Sequence, residues 1–230
     1  MRIAPVCIAL AQLLAVALAS TPYAAHAQGA VAERSREAAE ALVRRHYPEG
    51  IPQRDARALD AAGVSRLLAM LADPAERDFH ANIVMALGLS GDPRAHPALL
   101  AYAQSARSRE LSGPEVRARL VLPISMGHLA AHDDRALAYL IRRVQPSAEP
   151  PRWRDRTLSA SRLAGILRRS CVSGLALSGR ASAGMALRAL AQSTADVTGE
   201  LAHHVKSSLA MHDRIVRGLP HRIFAPGSLP

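Results

Sequence analysis

His128 and His132 stand four residues apart, a spacing that on a helix puts both imidazoles on one face, where a transition-metal ion takes nitrogen ligands. No Glu follows the first His and no third ligand lies close by in the chain. An ordinary pair of histidines near a helix C-terminus, where the macrodipole favours them, is the simpler expectation. His203 and His204 are adjacent and therefore diverge around a helix. Cys171 sits in the apolar-periodic stretch from Leu167 to Gly174, so its thiol is expected as a small buried hydrophobe rather than as a nucleophile. The Asp133-Asp134 pair reads as a helix cap more simply than as an acid–base couple.

Other chemistries leave no trace in the spacing. A nucleophile elbow needs Gly-x-Ser-x-Gly, whereas Gly88-Leu-Ser-Gly91 is one residue short. There is neither a Gly-x-Gly-x-x-Gly run nor a Gly-rich loop ending in Lys-Ser or Lys-Thr to cradle phosphates. No catalytic residue, metal ligand or cofactor is therefore assigned, and a non-catalytic, protein-binding role is expected. The alternative is a small helical envelope enzyme or metal-binding accessory protein using His128, His132 or Cys171.

Charge is the remaining signal. The chain carries 28 Arg and one Lys against 19 acidic residues, and from Arg152 to Arg222 there are 12 basic side chains against four acids. Arg152, Arg154, Arg156, Arg162, Arg168 and Arg169 make the densest group and the expected contact surface. Such a face suits a protein partner, an anionic ligand or a lipid surface, with affinity falling as salt rises. Nucleic acid is disfavoured by expected export and by an aromatic content of 3%, too low for base stacking. Codon bias in a GC-rich genome would also produce Arg in place of Lys.

The elements that must hold these residues are helices. With 49% hydrophobic residues and so few aromatics, the interior has to be built from Ala, Leu, Val and Ile, which favours an all-α fold. Arg2, the apolar run from Ile3 to Ala19 and the small residues of Ala25-His26-Ala27 read as a secretory signal, residues 1–27, cleaved after Ala27 or alternatively after Ala19. The destination is then the periplasm or the medium, and no transmembrane segment is expected after cleavage. Loss of Cys7 with the signal leaves Cys171 alone, so packing and not a disulfide must hold the fold.

A helix from Ala32 to His46 and a linker fill residues 28–54. Val64, Leu67, Leu68 and Leu71 follow at i, i+3, i+4 and i+7, and Asp73-Pro74 closes that helix. Helices are expected over Ala75 to Leu89, Pro93 to Ala106, Val116 to Ala131, Thr157 to Ser178, Ala181 to Ala191 and Asp196 to Ile215, with residues 219–230 a flexible tail.

Met85-Ala-Leu-Gly88-Leu-Ser-Gly91-Asp92-Pro93-Arg94-Ala95 followed by a Leu-rich helix resembles the HEAT repeats first grouped with phycobilisome lyases. In that motif Gly88 lets two helices approach, Gly91 supplies a positive φ, Asp92 caps and Pro93 opens the next helix. Weaker copies place Gly127 39 residues after Gly88 and Gly174 47 residues after Gly127, the extra length falling in the Pro146 to Trp153 loop. The resemblance implies a short right-handed α-solenoid of antiparallel helix pairs over residues 55–218. Some HEAT-like enzymes bind iron through paired His-Glu dipeptides, but this chain has no His-Glu at all.

Overall fold

The computed structural model describes residues 21–105, 109–193 and 199–218, so most of the expected signal and the whole C-terminal tail lie outside the described residues. Among the described residues the fold is all-helical, with no strand. Its helices are α1 (Thr21–Arg44), α2 (Gln53–Arg57), α3 (Ala61–Ala72), α4 (His80–Ser90), α5 (Ala95–Ser105), α6 (Gly113–Ala130), α7 (Asp134–Val144), α8 (Ala160–Ser178), α9 (Ala181–Gln192) and α10 (Gly199–Val216). A 3-10 helix, Pro74–Phe79, leads into α4. No described helix is long and apolar enough to cross a membrane.

Short polar side chains start these helices by taking up backbone N–H groups that have no partner in the first turn. Asp60 accepts from Ala62 N and Gly63 N, both at 2.9 Å, and Asp133 accepts from Arg135 N at 2.8 Å. Ser112 and Glu115 form a reciprocal capping box on α6. Gly91 and Gly179 end α4 and α8 in the left-handed region, at φ 72° and 62°.

Several expected boundaries shift for local reasons. Helix α1 starts at Thr21, not Ala32, and so runs through Ala25-His26-Ala27, while α2 straddles the expected boundary between residues 54 and 55. The segment after Pro74 winds as 3-10 because the Asp73 carbonyl accepts from Glu76 N at 3.1 Å and also from the His80 ring. Regular α-helix resumes after Pro93-Arg94, at Ala95.

Helix α4 packs against α6, α6 against α8, and α8 against α10, while α5, α7 and α9 bridge successive members of that row. Glycine makes the first two contacts close. A methyl group on Gly88 would lie 2.6 Å from Ser125 Cα, and one on Gly127 would lie 2.6 Å from Gly174 Cα. Only residues without a side chain allow such backbone contact. The main core runs along this row from Ala39 to Val205, built of Leu, Val, Ile and Ala with Met70 and Met126.

The joints between helices repeat chemically. Ser90 Oγ donates to Leu87 O and accepts from Asp92 N; Ser178 Oγ donates to Leu175 O and accepts from Arg180 N. Asp92 accepts from Arg94 N and pairs with its guanidinium, as Asp133 does with Arg135. The α4–α5 joint thus has both devices, the α6–α7 joint only the Asp-x-Arg clasp, and the α8–α9 joint only the Ser-Gly turn.

The Pro-rich loop is pinned at both its backbone and its side chains. Arg154 N donates to Arg109 O at 3.0 Å and Leu111 N donates to Arg154 O at 2.9 Å. Trp153 is buried with Leu111, Val116, Leu163 and Leu167 in a second, smaller cluster. This cluster fixes the loop beside α5, α6 and α7, where it forms one wall of a groove.

Candidate functional site

The six arginines expected to form one contact surface are distributed over separate environments. Arg152 pairs with Glu149 at 3.1 Å, Arg156 with Glu110 at 3.2 Å and Arg169 with Glu200 at 3.3 Å. Arg168 turns inward, where its Nε donates to Val144 O at 3.0 Å and closes the C-terminus of α7. Arg154 and Arg162 are exposed with no carboxylate partner among the described residues. Of the six, Arg152 borders the groove described below.

The metal and nucleophile candidates also separate. Helix α6 ends at Ala130 because His132 N and Asp133 N both bond Leu129 O at 2.9 Å, so His132 lies in the following turn, not four along a helix from His128. Among the described residues no three of His, Cys, Asp and Glu converge as a metal site. Cys171 is 1% exposed, and burial pushes its thiol up to about 12, which keeps it protonated and inert at neutral pH.

His203 and His204 diverge on α10: His203 is exposed, while His204 Nε2 lies 3.0 Å from Arg169 O and 2.9 Å from Ser173 Oγ. A carbonyl only accepts, so His204 Nε2 carries the proton and cannot take one from Ser173. Burial pulls His204 and His96 below the usual histidine range. Gly88, Gly127 and Gly174 lie at helix contacts, and Gly91, Asp92 and Pro93 form the α4–α5 joint.

The structure instead singles out Arg119, on α6. It falls on the apolar stripe of Val116, Leu122, Pro123 and Met126, which is the signal that marks it in the sequence, and it is only 5% exposed. Its Nη1 donates to Tyr102 O and its Nη2 to Ser105 Oγ at 3.1 Å, so the guanidinium holds the C-terminal turn of α5. It also lies over the Tyr102 ring, 4.5 Å from the centroid. Its Nε is buried with no partner, and among the described residues no carboxylate is within ion-pair distance. Glu115 is the acid nearest by sequence, but it is engaged by Arg109, Ser112 N and Ser112 Oγ, which hold it down to about 2. Burial lowers the Arg119 pKa from its very high ordinary value, yet a guanidinium stays charged in a protein.

Arg119 lines two grooves. One, of about 510 Å³, lies between α5, α6, α7 and the Pro-rich loop; Leu100, Leu122, Leu167 and Cys171 line it, and Arg142, Arg143 and Arg152 supply its charge against Glu149 alone. The other, of about 530 Å³, lies between α3, α5 and α6 and includes His80, Tyr102, Arg109 and Glu115. There, His80 Nε2 donates to Asp73 O at 3.2 Å, so Nδ1 accepts from the Tyr102 hydroxyl at 3.2 Å. Both volumes fall in the range of ligand-binding clefts. The chain matches no family of known proteins, and neither a curated protein nor a solved structure is significantly similar to it.

Proposed function

We propose that this chain is an exported HEAT-like repeat protein, a short right-handed α-solenoid that acts as a non-catalytic scaffold by binding a protein partner along its helical array. The observation that carries the proposal is the row α4, α6, α8 and α10, with α5, α7 and α9 bridging its members and leaving grooves beside them. Helices joined by such short links stack their apolar faces against each neighbour in turn and leave an extended outer surface for a ligand. The Ser-Gly turns and Asp-x-Arg clasps repeated at successive joints support a repeat origin. Export is supported by the composition of residues 1–27.

The test is affinity capture from the envelope fraction with the full chain tagged at its C-terminus, washed at low and at high salt. Retention of one partner that is lost at high salt is the expected result. Failure to retain any protein, with a transition metal copurifying in stoichiometric amount, would overturn the scaffold role and return attention to His128 and His132.

A further inference from the structure

The groove between α5, α6, α7 and the Pro-rich loop is both apolar and strongly cationic. Its charged lining is Arg119, Arg142, Arg143 and Arg152 against one acid, Glu149. Glu149 is already paired with Arg152, and its main-chain oxygen accepts from Arg143 at 2.6 Å. Three guanidinium groups therefore face the groove with no carboxylate among the described residues to balance them. One of them, Arg119, is 95% buried by its 5% exposure and keeps an unpartnered Nε.

The edge of Arg119 that lacks a partner has a particular shape. Nη1 and Nη2 each give one hydrogen to the end of α5, at Tyr102 O and Ser105 Oγ. The Nε–H and the second hydrogen of Nη2 form the side fork of the guanidinium, which matches the two oxygens of a carboxylate. A buried donor without a partner is destabilising, so a ligand oxygen that reaches it adds an interaction the free protein lacks. A carboxylate alone would fill little of about 510 Å³, and Leu100, Leu122 and Leu167 offer apolar surface for what is attached to it.

Resting on the scaffold role proposed above, we infer that this groove receives an acidic segment of the partner protein, with one carboxylate at Arg119 and a neighbouring aliphatic side chain against Leu100, Leu122 and Leu167. Arg142 and Arg143, which no carboxylate among the described residues balances, attract the segment's remaining negative charge. An extended segment suits the site better than a compact anion because Arg119 also lines the second groove.

The test is selection of a displayed library of random octapeptides on the full chain at low salt, followed by titration of one synthesised, dye-labelled winner. The enriched peptides are expected to carry Asp or Glu beside Leu, Ile or Val. The winner should bind at least ten-fold more weakly to Arg142→Gln/Arg143→Gln and to Arg119→Met, and more weakly at high salt. Arg188→Gln, an exposed charge on α9 away from the groove, should leave binding unchanged. The double variant keeps the test valid should Arg119→Met fail to fold.

Enrichment of peptides without acidic residues, no enrichment, or undiminished binding to the double variant would overturn the inference. Groove-dependent binding of phosphatidylglycerol vesicles in place of peptides would overturn the assigned occupant. The scaffold role is judged separately: a captured partner retained by the double variant leaves that role standing and moves its contact elsewhere, whereas a chain that captures no partner loses it.

Discussion

Adding one methyl group at Gly127 should separate α6 from α8. The Cβ of Gly127→Ala would fall 2.6 Å from Gly174 Cα and 2.5 Å from Gly174 O, both backbone atoms. Carbon atoms in contact settle about 3.5–4.0 Å apart, so the two helices must move by roughly 1 Å. No side chain can rotate away to absorb the overlap. Overpacking of this kind costs about 1–3 kcal/mol, and the gain in helix propensity from Gly to Ala returns at most about 1 kcal/mol. The expected net loss is about 2 kcal/mol at the upper end, or roughly 4–8 °C in Tm for a chain of this length. Gly165, on α8, supplies the internal control, because a methyl there meets only Arg169 Nη1 at 3.7 Å. Gly165→Ala should therefore stabilise by about 0.5–1 kcal/mol through the unfolded chain and helix propensity. Urea unfolding followed by circular dichroism gives both values from the shift in midpoint at constant slope. Equal shifts of the same sign in the two variants would refute the backbone contact between α6 and α8.

Glu115 makes a pH prediction of definite sign. Its pKa is lowered from 4.5 to about 2, so its contribution is present above the unfolded value and is lost as pH falls from about 4.5 to about 2. Glu115→Gln keeps the capping box but loses the Arg109 ion pair, and should destabilise by on the order of 1 kcal/mol at pH 7 and flatten the acid limb of stability in that window; an unchanged acid limb would refute it. In a Cys7→Ser chain, Cys171 should resist an aromatic disulfide reagent at pH 8 and react within minutes in denaturant; stoichiometric reaction of the native chain would refute its burial. Mass analysis of the exported protein should find a first residue of Gln28, and a chain that still begins at Met1 would rule out cleavage.

The helices were largely legible because their apolar spacing is strict. Val64, Leu67 and Leu71 face the core as expected, with Leu68 half-buried beside them. The glycine contacts were legible for a related reason: in an Ala- and Leu-rich helix, Gly weakens the helix and marks either an end or a close approach. The extent of α1 was obscured because Ala25-His26-Ala27 satisfies both a cleavage pattern and a helix. The groove was hidden for two physical reasons. Arg119 looks like any helical Arg until its place on the stripe of Val116 and Leu122 is noticed, and Trp153 lies in a Pro-rich segment whose composition says loop and nothing of burial. Pairing of Arg109 and Leu111 with Arg154 joins residues more than 40 apart and has no local signature.

The three joints α4–α5, α6–α7 and α8–α9 close and reopen helices by different local means. After α4 the chain enters the left-handed region at once, which demands Gly91, and then needs Asp92 to open α5. After α6 it stays right-handed at Ala131, where the bonds from His132 N and Asp133 N to Leu129 O close the helix. Ala131 and Asp133 both have negative φ, and the Asp133–Arg135 clasp opens α7. After α8 the link is only Gly179-Arg180, Arg180 stands at the N-cap position without a side-chain cap bond, and the Ser178 hydroxyl accepts from the Arg180 N–H as Ser90 does from Asp92 N. Arg180 then reaches back to Asp134 at 2.5 Å, tying the third joint to the start of α7. Asp133→Ala, which removes a helix cap, and Ser178→Ala, which removes the hydroxyl bridging Leu175 O and Arg180 N, should each weaken their own joint by about 1 kcal/mol. A marked loss of stability on Ala131→Gly beyond the about 1 kcal/mol expected from helix propensity would show that this joint needs more than a right-handed exit.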